Sequence, residues 1–331
     1  MERLKVAVIG LGKMGVLHTG ILSAMSNVHV VAVCDKKKLI VRFVKKILDG
    51  KVQVVDDVNH LSAFNLDAVY VTTPIPSHFK LIKSVYANNI ASNVFVEKTL
   101  ASSYAEAEEL CRLSEKFGGV NMVGFQKRHS VTFRKAHELL IQGAIGEPSL
   151  FEAYAYSSDF IGFKSEEIRK VSISRGGVLR DLGAHAIDLS LWFFGDLEVV
   201  PRNVNFDEGE RFEEGVSFTV RGTNGLKGLI KTSWYKEGYR MPEIGLRIEG
   251  SRGSLFVNDD EVEVKFTDGA AKKWYRHDLN DNVDFLLGAP EYYREDSYFI
   301  KRIMEGKSTT PDFLTASKVD KIIDRVCQEI C

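Results

Sequence analysis

Three glycines near the start of the chain have the spacing of a dinucleotide-binding loop. Gly10, Gly12 and Gly15 lie between a short β-branched run and a helical pattern. The first permits a tight turn, the second lets the backbone approach a pyrophosphate, and the third lets helix and strand pack closely. Asp35 ends the next strand-like run, 20 residues beyond Gly15, where a carboxylate can bind ribose hydroxyls. The alternative is a glycine-rich turn followed by a surface aspartate.

The residues after this loop favour NAD over NADP. The carboxylate of Asp35 would repel a 2′-phosphate, whereas a nearby cation could accommodate one. Lys36, Lys37 and Lys38 follow directly and could neutralise that phosphate if they turned inward. A solvated helix start is the other interpretation of the three lysines. We therefore expect NAD, with NADP possible.

A second group of residues could move a proton. Asp181 and His185 are four residues apart, so a helix would present both on one face, with Asp188 near the same stripe. Histidine has a pKa suited to removing a hydroxyl proton near neutrality, which oxidation of a secondary alcohol requires. Asp181 could instead be the N-cap of a helix that begins at Leu182, and His185 an ordinary helix histidine.

The elements that must position these residues alternate between strand and helix as far as Gly124. Strands are predicted near residues 4–9, 29–34, 52–55, 68–72, 93–96 and 120–124. Helices are predicted to about residue 26 and near 39–48, 78–88 and 104–117. This alternation predicts a parallel sheet with right-handed crossovers. Thr73, Pro74 and His78 would then follow the carboxyl end of a strand, where open α/β sheets bind ligands.

The pattern changes after Gly124. A helix at 131–142, a strand at 150–156 and a helix at 182–194 precede short β-rich segments over 198–276, and helices follow at 291–304 and 313–329. Turn signals such as Asn224-Gly225 indicate antiparallel hairpins. The fold class we expect is an α/β Rossmann domain with a doubly wound parallel sheet at 1–124. An α+β domain with an open, mainly antiparallel sheet follows at 125–331 and serves substrate binding and oligomerisation.

Composition excludes several classes of function. The 331 residues include 44 basic and 45 acidic side chains without long blocks of one sign, which argues against nucleic acid or an anionic membrane as partner. No apolar run approaches the ~20 residues of a membrane span, and the chain enters a strand without a cleavable leader, so we expect a cytoplasmic protein. The four cysteines, without a Cys-x-x-Cys pair, are interpreted as reduced thiols, and no metal site is expected.

Six short segments occur along the chain in a characteristic order and spacing. They are the glycine loop continuing to His18, residues 73–78, Glu97-Lys98-Thr99, and residues 124–128, 143–148 and 176–188. In order and spacing they resemble the glucose–fructose oxidoreductase / inositol dehydrogenase / MocA-like (Gfo/Idh/MocA) family over nearly the whole chain. Thr99 stands where that family usually has proline, a residue often found in a cis turn, which leaves the placement of Lys98 open.

The resemblance implies roles for individual residues. Glu97 is expected near the nicotinamide ribose, and Lys98 is expected to hydrogen-bond the reacting oxygen and stabilise its negative charge. His185 would be the general acid/base, with Asp181 orienting the histidine or a substrate hydroxyl. Lys98 could otherwise be a surface charge after a strand. The residues expected at the cofactor are Gly10, Gly12, Lys13, Met14, Gly15, Asp35, Lys36, Thr73, Pro74, His78, Glu97, Lys98 and Gln126.

Side chains outside these motifs could contact a substrate. Trp234 and Tyr235 could line a sugar pocket or belong to the sheet core. Arg175 and Arg180 flank the predicted catalytic motif, and Arg175 stands where the family often has a small residue, so it could contact an acidic or phosphorylated group or only solvent.

The function implied is an NAD(P)-dependent oxidoreductase that transfers a hydride between nicotinamide and a secondary alcohol or ketone of a sugar, cyclitol or related polyol. Two alternatives have similar site residues or a similar fold. One is a glycoside hydrolase that keeps NAD bound and oxidises the sugar transiently; the other is a non-catalytic dinucleotide-binding sensor. The open sheet leaves an apolar face that needs a cover, and the resemblance implies that a second subunit provides it, so a homodimer or homotetramer is expected.

Overall fold

The computed structural model describes residues 3–47, 52–163, 175–205, 214–283 and 289–329. They form two compact units, a first unit of Met1–Gly124 with Tyr292–Asp320 and a second unit of Phe125–Glu291 with Lys321–Cys331. Residues 292–320, which we expected in the second domain, thus belong to the first unit. The reason is tertiary: the main chain of Val123 bonds Pro311, and Phe313 N–H donates to the Asn121 side chain at 2.7 Å.

The first unit is built on a six-stranded parallel sheet of order β3-β2-β1-β4-β5-β6. Its strands are β1 (Leu4–Ile9), β2 (Val28–Cys34), β3 (Gln53–Val55), β4 (Ala68–Val71), β5 (Asn93–Glu97) and β6 (Asn121–Gly124). Its helices are α1 (Lys13–Ala24), α2 (Lys38–Ile47), α3 (His78–Ala87) and α4 (Tyr104–Phe117). The predicted doubly wound sheet is confirmed, and its order reverses between β1 and β4, where such sheets bind their ligands.

Apolar side chains fill the central strands of this sheet. Val6, Ala7 and Val8 in β1 are all 0% exposed, as are the middle residues of β4 and β5. A parallel sheet is covered on both faces, which explains why its strands are continuous apolar runs. The C-terminal helix α7 (Pro290–Glu305) packs Phe299 edge-on against Tyr70 of β4, at 5.5 Å between ring centroids.

The second unit contains an eight-stranded sheet of order β14-β13-β12-β11-β7-β10-β9-β8. Its strands are β7 (Pro148–Tyr156), β8 (Glu198–Asn205), β9 (Gly215–Arg221), β10 (Lys227–Ser233), β11 (Glu243–Gly250), β12 (Gly253–Asn258), β13 (Glu261–Phe266) and β14 (Ala271–Tyr275). Its helices are α5 (Val131–Ile141) and α6 (Ala184–Phe194), and α8 (Phe313–Gln328) ends in it. All neighbours pair antiparallel except β10 and β7, which confirms the mainly antiparallel sheet.

The two faces of this sheet differ. Phe151, Ala153 and Ala155 of β7 point to the buried face, against which α6 packs. The alternate residues of β7 point to the opposite face. That face is mixed in character, because ion pairs such as Glu152 with Lys231 at 2.7 Å lie on it beside aromatic rings such as Phe256.

No helix within the described ranges is both long enough and apolar enough to cross a membrane.

Candidate active site

The glycine loop between β1 and α1 is tightly packed on one side and open on the other. A Cβ atom at Gly15 would lie 1.8 Å from the carbonyl oxygen of Gly10, which itself has φ +93°. At Gly12, no described atom lies within 4 Å of the place where a Cβ would be. Gly12 is also the N-cap of α1, and its helix has no side-chain cap. The loop therefore fits a pyrophosphate that approaches the main chain and the first N–H groups of the helix.

Asp35 lies next to this loop and is fixed by it. One carboxylate oxygen accepts a hydrogen bond from the Leu11 N–H at 2.6 Å, and the other accepts from the Lys37 N–H at 2.7 Å. Each oxygen retains lone pairs for a further donor, so the carboxylate can still accept from ribose hydroxyls. Lys13 and Lys36 are exposed, and Met14 is half-buried. These residues fit a bound dinucleotide, and their contacts with it stay predictions.

The segment after β4 holds Thr73, Pro74 and His78 beside the glycine loop. A Cβ at Gly10 would meet the Thr73 side chain at 2.6 Å, so the two segments touch. His78 is 0% exposed, and its ring nitrogens lie 2.8 Å from the Thr99 carbonyl oxygen and 2.7 Å from that of Thr73. Burial lowers the pKa of this imidazole.

These contacts change the interpretation of His78. We expected its ring at the cofactor, but both nitrogens face main-chain oxygens and no part of the side chain is accessible. His78 therefore links the segment after β4 to the segment after β5 and supports the site rather than lining it.

Glu97 and Lys98 lie at the carboxyl end of β5. Glu97 is the last residue of the strand and is 7% exposed, whereas Lys98 is half-buried. The Lys98 N–H donates to Oε2 of Glu97 at 3.1 Å, and Oε1 lies 3.0 Å from Nε2 of His18. The Lys98–Thr99 peptide bond is cis although residue 99 is not proline.

Asp181 and His185 follow each other in the second unit, Asp181 on a π-helical turn (Leu179–Gly183) and His185 at the start of α6, into which that turn runs. His185 is 6% exposed, and its ring meets that of Phe125 edge-on at 6.3 Å. The N-cap of α6 is Gly183, without a side-chain cap, so Asp181 is not the capping residue that we considered as an alternative. Its carboxylate instead pairs with the Arg175 guanidinium at 2.9 Å.

Three further predicted residues have mainly internal partners in the second unit. Arg180 is buried and pairs with the partly exposed Asp324 at 2.7 Å. Trp234 is 1% exposed and packs at 4.9 Å from the Phe160 ring, which favours the sheet-core interpretation. Gln126 is 7% exposed at the start of a short 3₁₀ turn after β6.

Asp188, three residues beyond His185, has a structural partner. Arg128 donates two hydrogen bonds to its carboxylate, at 2.7 and 2.8 Å, and both residues are at most 5% exposed. Burial raises the pKa of the Asp188 carboxyl, and Arg128 offsets part of that rise. The pair fixes α6, and thus the helix of His185, to the turn that follows Phe125.

Sequence reasoning did not predict the partners of three residues that the structure places against predicted site residues: it named His18 only as the end of the glycine-loop segment, gave Arg175 only a possible contact with a substrate or solvent, and did not consider Asp296. His18 and Asp296 lie behind Glu97 in the first unit, and Arg175 lies on Asp181 in the second. For His18 and Asp296, the signal in the sequence was a charged or polar residue on the apolar side of a helix. Such a residue indicates a buried partner without saying which one.

Comparison with known proteins agrees with this geometry. Residues 4–125 match the model "Oxidoreductase family, NAD-binding Rossmann fold", and residues 133–256 match the "GFO/IDH/MocA C-terminal domain". The myo-inositol 2-dehydrogenase of Thermotoga maritima is 25% identical over 317 residues, 92% of this chain and 89% of the relative. A D-apiose dehydrogenase of Paraburkholderia graminis is 23% identical over 81% of this chain and 72% of the relative.

Solved structures show the same fold. A levoglucosan dehydrogenase in complex with NADH and levoglucosan superposes with a TM-score of 0.86 at 20% identity, covering 99% of this chain and 97% of that one. With both domain models matched in order, this chain belongs to the Gfo/Idh/MocA oxidoreductase family and has an NAD-binding Rossmann domain.

Proposed function

We propose that the protein is an NAD-dependent dehydrogenase or reductase acting on a secondary alcohol or ketone of a sugar, cyclitol or related polyol. The observation that carries this is the buried His185, four residues after Asp181, in a chain that also has the glycine loop held by Asp35 and the Glu97-Lys98 segment. Relatives named for inositol and apiose oxidation support the class of substrate.

The side chains supply proton transfer and charge stabilisation. NAD, held by the glycine loop and Asp35, would supply the hydride acceptor for oxidation, and NADH the hydride donor for reduction. His185 takes the hydroxyl proton as the carbonyl forms, and gives it back in reduction. The Lys98 ammonium donates a hydrogen bond to the reacting oxygen and stabilises the negative charge that develops there. Asp181 orients the imidazole or a neighbouring hydroxyl, and Arg175 sets the direction of that carboxylate.

The test is to assay NAD reduction with a panel of polyols and sugars, with NADH absorbance as the readout. Lys98→Ala and His185→Ala should each lower kcat by about 10²- to 10⁴-fold, because each removes proton transfer or charge stabilisation. Lys80→Ala and His277→Ala are matched controls on exposed positions of the same units and should leave kcat unchanged. Wild-type turnover in both site variants would contradict the proposed roles.

The same assay separates the two alternative functions. Net NADH formation, stoichiometric with substrate oxidised, is the expected result. Release of a free sugar from a glycoside without net NADH would indicate the hydrolase, which regenerates its cofactor in each cycle. Tight NADH binding without turnover of any substrate would indicate the sensor.

We further propose that the protein forms a homodimer or homotetramer through the open face of the eight-stranded sheet. Arg247 stacks on Phe256 at 5.0 Å, and Glu152 pairs with Lys231, so this face offers rings and oriented charges to a second copy. Light scattering should give a multiple of the 37.1 kDa chain mass, and Arg247→Glu should reduce it. A single species of chain mass in the wild type would rule this out.

A cytoplasmic location remains part of the proposal. Within the described residues Cys34 and Cys111 form no disulfide bond, which supports a reducing compartment. Recovery of the protein from the membrane or extracellular fraction of its own cells would contradict it.

A further inference from the structure

A histidine of the first helix lies buried between two carboxylates. His18 on α1 is 0% exposed. Its Nδ1 is 2.9 Å from both carboxylate oxygens of Asp296 on α7, and its Nε2 is 3.0 Å from Oε1 of Glu97. Asp296 is 0% exposed and Glu97 is 7% exposed, so the whole group is out of contact with bulk solvent.

With both carboxylates ionised, the hydrogen-bonding pattern calls for a doubly protonated ring: an ionised carboxylate can only accept, so each ring nitrogen that faces one must carry a hydrogen, which makes His18 an imidazolium. Burial raises the pKa of the Asp296 carboxyl, and His18 offsets part of that rise. Burial by itself lowers the pKa of His18, but Asp296 and Glu97 outweigh it and hold the pKa well above its ordinary value. The aromatic rings of Tyr70, Phe95 and Tyr292 surround the imidazole at 5.2 to 6.0 Å between centroids.

The second oxygen of Glu97 extends this network to the main chain of Lys98. Oε2 accepts the Lys98 N–H at 3.1 Å while Oε1 is held by His18. The two oxygens of one carboxylate are therefore fixed at once, by a cation on one side and by the next peptide N–H on the other. No torsional freedom is left for the Glu97 carboxylate without breaking one of these contacts.

We propose that His18, oriented by Asp296, is a positioning residue for the Glu97-Lys98 segment. By fixing the Glu97 carboxylate, it fixes the peptide from which the Lys98 side chain projects, and so the place of the ammonium group at the reacting oxygen. Asp296 comes from α7, so the C-terminal segment of the chain sets the geometry at the end of β5. This inference rests on the proposed function only where it assigns Lys98 to the substrate.

Two amide variants of His18 test the two halves of the ring separately. In His18→Gln the amide nitrogen reaches the place of Nε2 and keeps a donor for Glu97. In His18→Asn it reaches the place of Nδ1 and keeps a donor for Asp296 only. Both variants lose the charge, so a merely structural role of His18 would affect them alike. His60→Gln, on an exposed histidine of the same unit, is the matched control.

The first readouts need neither cofactor nor turnover. ¹⁵N NMR of the cofactor-free protein should show both ring nitrogens of His18 protonated at neutral pH. Hydrogen exchange at the Lys98 amide should be slow in the wild type and in His18→Gln, and fast in His18→Asn. A neutral His18 ring, or equal Lys98 exchange in the two variants, overturns the proposal. If His18→Asn does not fold, His18→Ala, which also removes the donor to Glu97, replaces it, and the Lys98 amide should again lose protection.

Kinetics form the second readout. We expect His18→Asn to lower kcat about a hundredfold, as misplacement of a catalytic group by about 1 Å can do, while His18→Gln keeps most of kcat. The NADH dissociation constant should change much less than kcat in His18→Asn, since the glycine loop and Asp35 keep their predicted contacts with the pyrophosphate and the adenosine ribose. Equal losses of kcat that follow the melting temperature overturn the proposal. If the wild type oxidises no polyol, the proposed function fails, and the Lys98 exchange still decides the role of His18.

Discussion

Removal of the Asp35 carboxylate should abolish discrimination between NADH and NADPH. A hydrogen bond between a charged and a neutral group contributes about 1.5–3 kcal/mol, and this carboxylate is the only predicted acceptor for the adenosine ribose hydroxyls. Asp35→Ala should therefore weaken NADH binding by about 10- to 150-fold. In Asp35→Ala, the 2′-phosphate of NADPH is no longer repelled by the carboxylate, which removes about 1 kcal/mol of repulsion per phosphate charge at 4 Å in a water-like dielectric. NADPH binding should therefore weaken less than NADH binding, or improve.

The structure supplies a graded series for this test. In Asp35→Asn, one carbonyl oxygen can still accept from either the Leu11 or the Lys37 N–H, but the amide group faces the other donor. Its NADH affinity should lie between those of the wild type and Asp35→Ala. Asp67→Ala is the matched control, because that carboxylate accepts the Lys5 N–H at 2.7 Å at the opposite strand ends. It should leave the affinity for either nucleotide unchanged.

The assay is a titration of each protein with NADH and with NADPH, with nicotinamide fluorescence as the readout. The melting temperature of each variant is measured first to verify that it is folded. The ratio of the two dissociation constants should change roughly fiftyfold or more between the wild type and Asp35→Ala. A wild-type preference for NADPH would mean that the lysines after Asp35 decide selectivity. An unchanged ratio in Asp35→Ala would refute the reasoning, since the carboxylate would then have no part in selection.

Three other perturbations have clear expected outcomes. Gly15→Ala, with its Cβ 1.8 Å from a main-chain carbonyl oxygen, should lose NADH binding in a fluorescence titration, whereas Gly20→Ala, where no described atom lies within 4 Å, should retain it. Arg128→Met should lower the free energy of unfolding in urea by about 3–5 kcal/mol, because it leaves the buried Asp188 carboxylate without its partner. The double variant R128M/D188L should recover most of the lost free energy. Equal losses in the single and double variants would argue against a buried ion pair. Because the pKa of His18 is raised in the folded state, its protonation stabilises the fold fully below about pH 6.5 and progressively less as the pH rises through the raised pKa. The difference in unfolding free energy between the wild type and His18→Gln should therefore shrink at alkaline pH. A difference that grows instead would contradict a buried imidazolium.

The local sequence pattern was sufficient to predict the main helices and strands and to locate the dinucleotide-binding motif. The helix predicted at 104–117 is α4, and the alternation of apolar strands with helices gave the parallel sheet of the first unit. Glycine spacing also located a loop in which Gly15 has no room for a side chain. These features depend on residues close in sequence, where backbone sterics and periodicity act directly.

Pairings between distant residues depended on tertiary structure alone. His18 and Asp296 are 278 positions apart, and Arg128 and Asp188 are 60 apart, so neither pair has a local signature. The same holds for the parallel pairing of β10 with β7 and for residues 292–320 in the first unit.

The sequence by itself therefore determined which elements form and which residue types could bind a dinucleotide or move a proton. Only the tertiary structure decided that His78 faces two carbonyl oxygens, that Asp181 pairs with Arg175 and that Glu97 is held by His18. The physical reason is that a buried polar group must find a partner, but its identity depends on which chain segments burial brings together.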